Sequence, residues 1–175
     1  MMDIAAQAFA CDRTRVITLA WNQPNVYEWV MDSQNRPIVV DDWHQDVVHV
    51  GGGTITQPTQ PQRDYLYNVQ RYYHGELDYM FNSLKAVQEG DGNLFDHCLI
   101  VYVNEFSDGA RHSHLGKPYF LAGKLGGVLQ TGRWLNFNSV PHNRLHLSIL
   151  RAFGFDDAVF GEADYCSDGP LTGLI

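Results

Sequence analysis

The feature that most constrains the fold is a long apolar repeat in the middle of the chain. Apolar side chains recur at steps of three and four from Leu66 to Val87, which places them along one face of a helix. Gly90 and Gly92 end the pattern. Such a helix needs neighbours that cover its apolar face. With 175 residues, the chain is long enough to build that core as a single domain over residues 1–175.

Shorter patterns surround this helix and predict an α/β fold. Residues 22–60 are expected to be mostly loop, because turn-forming residues interrupt every apolar run there. The other predicted elements are a helix over residues 2–11, strands at Val16–Trp21, Cys98–Val103 and Tyr119–Gly123, and a helix opened by Pro141 with Leu145, Ile149 and Phe153 on its apolar face. Strands that alternate with helices favour a mostly parallel or mixed central sheet flanked by helices. The tail from Phe155 is rich in glycine and acids and is expected to be loop-like.

The charge and composition exclude several classes of protein. The chain has 12 Lys and Arg against 20 Asp and Glu, a formal net charge of −8, so we expect no nucleic-acid partner. No apolar run approaches the ~20 residues of a membrane span, so we expect no membrane-spanning segment in these residues. The N-terminal segment has no basic region before an apolar stretch, which argues against a signal peptide within these residues. Three well-separated cysteines do not define a disulfide framework.

The strongest candidate site follows the apolar run Leu99–Val103, which is typical of a buried strand. Glu105 lies two residues beyond the end of this run, and a glycine turn, His112 and His114 follow it. Ligands of α/β proteins bind at the carboxyl ends of strands, and imidazole with carboxylate is a common ligand set for transition metals. The alternative is a polar surface loop. A buried Glu105 would need a partner, either a metal or an arginine.

Two further histidine pairs carry opposite expectations. His44 and His49 lie five residues apart in the predicted loop, where they either converge on a metal or stay solvated. His142 and His146 lie four apart on the last predicted helix, a spacing that is able to hold a metal. No acid joins that second pair and His146 borders the apolar face, so we expect packed histidines there. Arg133 is a candidate contact for an anion, or else pairs with the acidic tail.

A series of short motifs follows in order along the second half of the chain. They are the run Asp91–Asp96, Asp108-Gly109, His112-Ser113-His114, Pro118, Leu121-Ala122-Gly123, Gly126-Gly127, Thr131-Gly132-Arg133, Asn143-Arg144-Leu145 and Gly169-Pro170-Leu171-Thr172-Gly173-Leu174. This order resembles the HXXSHH family of largely uncharacterised bacterial proteins, in which the first run is EGDGTLLDNSLV. The segment His44–His49 keeps only the first and last histidine of the motif that names the family.

The HXXSHH family is similar to the alkaline-phosphatase-like superfamily, which includes sulfatases and phosphoester hydrolases. The resemblance implies a partial alkaline-phosphatase-like fold, with residues 1–175 as the C-terminal part of a larger parent domain from an exported or periplasmic lineage. It implies a divalent metal (zinc, manganese, iron or calcium) and a small anionic phosphate or sulfate ester as substrate. Asp42-Trp43-His44 resembles the Asp-x-His ligand pair of a sister group. The implied metal ligands are Asp42, His44, His49, Glu105, His112 and His114, with Arg133 as the substrate contact.

The resemblance leaves two functions open. In the superfamily a Ser, Thr or Cys nucleophile lies in an N-terminal half, and no serine here sits in a G-x-S-x-G elbow. The first function is metal-dependent hydrolysis of a phosphate or sulfate ester, which this chain is not expected to complete alone. The second is a non-catalytic binding or interaction module, or a fragment that forms a homo-oligomer to complete its core.

Overall fold

The computed structural model describes residues 1–21, 30–32, 34–40, 42–49 and 57–175. The chain divides into two compact units. The first unit consists of Met1–Ala86 and Phe106–His114, and the second consists of Val87–Glu105 and Leu115–Ile175. A single domain over residues 1–175 therefore stays a prediction.

Two helices form the frame of the first unit. Helix α1 spans Met2–Ala10 and helix α2 spans Gln60–Lys85, so both predicted helices are confirmed. Helix α2 begins earlier than predicted because Thr59 forms a capping box ahead of the apolar repeat. Its buried face is also shifted: Tyr65 is 0% exposed, whereas Leu66, which was expected on that face, is 40% exposed.

Part of the predicted loop over residues 22–60 folds against α2. A π-helical turn of five residues spans His44–Val48, and Val47 within it is buried. The core behind this turn consists of Val30, Trp43, Val47, Tyr65 and Val69. Residues 22–29, 33, 41 and 50–56 of the same segment lie outside the described residues. The described part of this segment is therefore anchored to the core by apolar side chains before His44 and between His44 and His49.

The second unit contains two pairs of short strands. Its elements are strands β1 (Gln88–Glu89) and β2 (Gly92–Asn93), helix α3 (Leu94–His97), strands β3 (Ile100–Val103) and β4 (Tyr119–Ala122), and helix α4 (Asn143–Ala152). β1 pairs with β2 and β3 pairs with β4, both antiparallel. Gly123 ends β4 with φ +91°, and a Cβ there would lie 2.2 Å from the Cys98 carbonyl oxygen. That position therefore requires glycine.

The predicted large central sheet is not present in the described residues, although helices and strands are both present. The run Leu99–Val103 was predicted to be buried, but the residues of β3 alternate between half-buried and exposed. No helix joins β3 to β4, and parallel neighbours need a long crossover connection. The predicted strand Val16–Trp21 is also wrong. Among the residues that the structure describes, it forms no ladder with another strand, and Val16 is 81% exposed.

Helix α4 holds the C-terminal segment of the second unit. It confirms the predicted last helix, but Phe153 is 56% exposed and Leu147, at 1%, occupies the buried face instead. The tail has a 3₁₀ turn at Ala163–Cys166 and is otherwise irregular, as expected from its composition. The Ser148 hydroxyl accepts a hydrogen bond from the Leu171 N–H at 2.7 Å. The tail is thus fastened through its backbone.

None of the helices among the described residues combines the length and the apolar character that a bilayer crossing requires. Cys11, Cys98 and Cys166 are free thiols, and only Cys166 is buried.

Candidate functional site

The π-helical turn brings His44 and His49 together. The His49 N–H donates to the His44 carbonyl oxygen at 3.1 Å, an i to i+5 bond that stacks residue 49 over residue 44. The two imidazole rings meet at a centroid distance of 4.5 Å and are nearly perpendicular, at 81°. Their Nε2 atoms lie 3.0 Å apart. The two rings therefore meet in the structure, and their role as metal ligands stays a prediction.

Two aspartates hold this turn in shape. The Asp42 carboxylate accepts hydrogen bonds from the His44 and Gln45 N–H groups at 2.9 and 3.2 Å, in the manner of an N-cap. The Asp46 carboxylate accepts from the Asp42 N–H at 2.9 Å. The Gln62 side-chain amide donates to the Asp46 carbonyl and ties the turn to α2. Asp42, expected as a metal ligand, thus has a structural task in positioning His44, and its role as a ligand stays a prediction.

A backbone carbonyl sets the tautomer of His49. Nδ1 of His49 lies 3.2 Å from the Ala110 carbonyl oxygen. A carbonyl oxygen only accepts hydrogen bonds, so Nδ1 carries the hydrogen and donates. In the neutral ring Nε2 then carries a lone pair, which faces Nε2 of His44. A histidine that donates one ring nitrogen to a carbonyl and offers the other is the usual arrangement of a metal ligand.

The segment Phe106–His114 supplies this carbonyl and a third imidazole. Its backbone closes on itself, because the Ser113 N–H donates to the Asp108 carbonyl at 3.0 Å and the Ser107 N–H donates to the Ser113 carbonyl at 2.8 Å. Arg111 pairs with the Asp108 carboxylate at 2.7 Å, and this hydrogen bond lowers the pKa of Asp108. The segment is therefore a small, internally bonded turn.

Gly109 allows this segment to approach the π-helical turn closely. A Cβ at Gly109 would lie 2.7 Å from Cγ1 of Val48, closer than any real Cβ contact. With glycine in place, the ring of His112 comes within 5.0 Å of the ring of His49, at 72°. His112 has a φ angle of +51°, in the left-handed region. Residues other than glycine rarely adopt this conformation, and it often marks functional positions.

His114 lies near His112 because both rings contact Phe106. Its ring lies 4.8 Å from the ring of Phe106, which stacks against His112 at 5.0 Å. The backbone of His112 is left-handed, so His112 and His114 do not share one extended segment. Both imidazoles contact Phe106. Phe106 is thus the ring that brings the two histidines together.

The remaining predicted site residues lie in the second unit and have other surroundings. Glu105 is exposed, so its predicted burial at the end of a core strand is wrong, because β3 itself is only half-buried. Arg133 donates to the carbonyl oxygens of Gln130, Gly173 and Leu174 at 2.7–2.9 Å. Its guanidinium thus holds the backbone of the tail rather than an acidic side chain. The roles of Glu105 as a ligand and Arg133 as an anion contact stay predictions.

Of the pair predicted to be packed, His146 is half-buried as expected, whereas His142 is exposed. His146 stacks on Phe160 at 4.7 Å and meets His142 edge-on at 5.5 Å. Burial is the main cause that lowers the pKa of His146, with smaller contributions from His142 and Lys117. His146 is therefore held in its neutral form more strongly than an exposed histidine.

The donor set of the first unit fits two ligands of one metal ion. Two nitrogens bound to the same ion at about 2.0–2.1 Å lie about 3 Å apart for ligand angles near 90–110°. The separation of 3.0 Å between His44 Nε2 and His49 Nε2 satisfies this condition. Within the described ranges, no three side chains of the His, Cys, Asp and Glu types are grouped so that they hold an ion. His112, whose ring lies 5.0 Å from the ring of His49, is a third imidazole beside this pair.

Comparisons with known proteins find no relative. No protein-family model, no curated protein and no solved structure matches the chain. The HXXSHH resemblance is therefore an interpretation of the motifs alone.

Proposed function

We propose that the first unit binds a single divalent transition metal through Nε2 of His44 and Nε2 of His49, with His112 as the third ligand. The 3.0 Å separation of the two Nε2 atoms is the observation that carries this proposal. The Ala110 carbonyl supports it, because it commits the other nitrogen of His49 to a hydrogen bond. Asp42 positions His44, and Phe106 positions His112.

We further propose that this site descends from a metal-dependent hydrolase of phosphate or sulfate esters, in a partial alkaline-phosphatase-like fold. When bound, the metal would polarise the ester and stabilise charge on its oxygens. In this chain the three imidazoles would hold the ion, and the exposed faces of His44 and His112 leave the site open to a small anionic ester. Asp42, Glu105 and His114 are further candidate ligands, and Arg133 is a candidate contact for the anionic group.

A second candidate is a metal-binding module without hydrolytic activity. The hydroxyl of Ser107, which follows the glutamate and Phe106 in the candidate segment, donates to the Ser113 carbonyl at 2.9 Å. A serine committed in this way is not paired with a general base, as a catalytic serine has to be. This observation favours metal binding without turnover.

The test compares metal content and turnover in the same samples. The purified protein is loaded separately with Zn²⁺, Mn²⁺, Fe²⁺ and Ca²⁺, dialysed and analysed for bound metal. We expect one transition metal per chain, and we expect His49→Gln to weaken its binding by at least about 100-fold, since outer-shell changes alone cost about 10–100-fold. His74→Gln is the matched control, because His74 is an exposed histidine on α2 of the same unit.

Turnover of p-nitrophenyl phosphate and p-nitrophenyl sulfate then separates the two candidates. Hydrolysis that requires the metal and is lost in His49→Gln supports the hydrolase. Stoichiometric metal without hydrolysis supports the binding module. Absence of bound metal under all four loading conditions overturns both.

A further inference from the structure

The second unit gathers three basic side chains around one aromatic ring. Lys117 Nζ lies 5.2 Å from the centre of the Tyr119 ring. The His142 ring stacks on Tyr119 at 6.3 Å, and the His146 ring meets it edge-on at 6.3 Å. We name Lys117, His142 and His146 the basic cluster. Its members come from two places in the chain, the segment before β4 and the first turn of α4.

The basic groups act unfavourably on one another when they are charged. His142 and Lys117 both lower the pKa of His146, in addition to the larger effect of burial. Like charges that face one another at a half-buried position destabilise the charged state. The acids of this unit that form described ion pairs are Asp96, Asp156 and Asp168, and they pair with Lys124, Arg151 and Arg144. The cations of those pairs all lie outside the basic cluster.

A negatively charged ligand would turn this repulsion into attraction. An ammonium and two imidazolium groups all donate charge-assisted hydrogen bonds, which are stronger than neutral ones. The first turn of α4 adds positive potential of the same sign. A metal cation is disfavoured in the same place, because the Lys117 ammonium repels it.

We propose that the basic cluster binds a tetrahedral oxyanion, a phosphate or sulfate group, either free or as the head of an ester. Lys117 and His142 contact the anion, and His146 takes up a proton as the anion binds. The rings of Tyr119 and Phe160 form the apolar sides of the site. The site belongs to the second unit alone and does not depend on the metal that we propose in the first.

The test follows the imidazole signals of His146 by NMR while inorganic phosphate is added at constant ionic strength. Because the anion favours the protonated ring, we expect phosphate to raise the pKa of His146. The parent protein, residues 1–175, is compared with Lys117→Gln, in which we expect phosphate binding to weaken about tenfold, the equivalent of about 1.4 kcal/mol. Lys124→Gln is the matched control, because Lys124 lies in the same unit but pairs with Asp96.

Chloride and an ester complete the experiment. An equal rise of the His146 pKa with chloride, or equal phosphate binding in the parent and in Lys117→Gln, overturns the proposal. Phenyl phosphate distinguishes the two sources of the anion. Tighter binding of phenyl phosphate assigns the site to an ester, and equal or tighter binding of inorganic phosphate assigns it to the free ion. Circular dichroism confirms that Lys117→Gln is folded, and His142→Gln provides a second variant on the other element.

Discussion

The two histidine pairs of this protein have similar spacing in the sequence and opposite surroundings in the structure. His44 and His49 face one another through their Nε2 atoms at 3.0 Å. His142 and His146 meet ring to edge at 5.5 Å, and His146 stacks on Phe160. In the first pair the two ring nitrogens face each other at hydrogen-bond distance. In the second pair the ring faces are used for packing.

The difference arises from the backbone that carries each pair. An α-helix places residues i and i+4 on one face, and His142 and His146 follow that rule at the start of α4. A separation of five residues would place His49 off that face, but the π-helical turn His44–Val48 restores the alignment with an i to i+5 bond. The lesson is that histidine spacing indicates a ligand pair only when the type of helix is known.

The variants with the largest expected effect test whether each histidine pair needs the apolar core behind it to keep its geometry. Trp43 is 6% exposed and packs beside the π-helical turn, and Leu147 is 1% exposed on α4. We expect Trp43→Ala to lower the free energy of unfolding by about 3–5 kcal/mol and to abolish metal binding. Leu147→Ala should cost about 2–5 kcal/mol and leave metal binding unchanged. Urea unfolding and metal analysis of both variants measure these effects.

A Trp43→Ala variant that still binds stoichiometric metal would show that the histidine pair does not depend on this core. Loss of metal in both variants would show that general destabilisation, rather than the local geometry, controls binding.

A smaller effect separates the two roles of Asp42. Its carboxylate caps the turn by accepting from the His44 and Gln45 N–H groups, so we expect Asp42→Ala to cost about 1 kcal/mol of stability. Asp42→Asn keeps a side-chain oxygen that caps equally well and removes only the charge. Unchanged stability with unchanged metal affinity in Asp42→Asn is expected for a capping residue. A clear loss of metal affinity at unchanged stability would instead identify Asp42 as a ligand.

The smallest effect concerns the pH dependence of the packed pair. The pKa of His146 lies below its ordinary value of 6.5, mainly because the ring is half-buried. Below pH 6.5 the unfolded chain therefore binds a proton more readily than the folded chain, and folding stability falls as the pH falls toward the lowered pKa. We expect His146→Gln to flatten this slope, measured by urea unfolding between neutral and mildly acidic pH in phosphate-free buffer. The slope in His74→Gln should match that of the parent protein.

Helices α1, α2 and α4 were predictable from local pattern, whereas the sheet was not. The periodicity from Leu66 to Val87 identified α2, because a 3.6-residue repeat is a property of consecutive residues. The apolar run Leu99–Val103 correctly indicated a strand but not its burial or its antiparallel partner. The burial of a strand and the direction of its partner depend on which distant segment pairs with it. A short apolar run does not identify that segment.

The candidate site was predictable in its residue types and not in its geometry. His44, His49 and His112 were named from the sequence, and the structure brings their rings together. The sequence did not indicate the π-helical turn or the hydrogen bond to the Ala110 carbonyl. Every residue has a backbone carbonyl, so the residue type at position 110 gives no sign of this contact. Gly109 offered a signal in principle, since glycine next to candidate ligands often marks a close backbone approach.

The sequence alone determined the approximate positions of helices α1, α2 and α4, the acidic balance and the histidines that we propose as metal ligands, because each of these depends on residue identity or on local spacing. The tertiary structure decided which histidines present nitrogen atoms and which present ring faces. That choice is made by a carbonyl oxygen, by a glycine without a β-carbon and by an i to i+5 hydrogen bond. All three act through backbone positions that only the folded chain brings together.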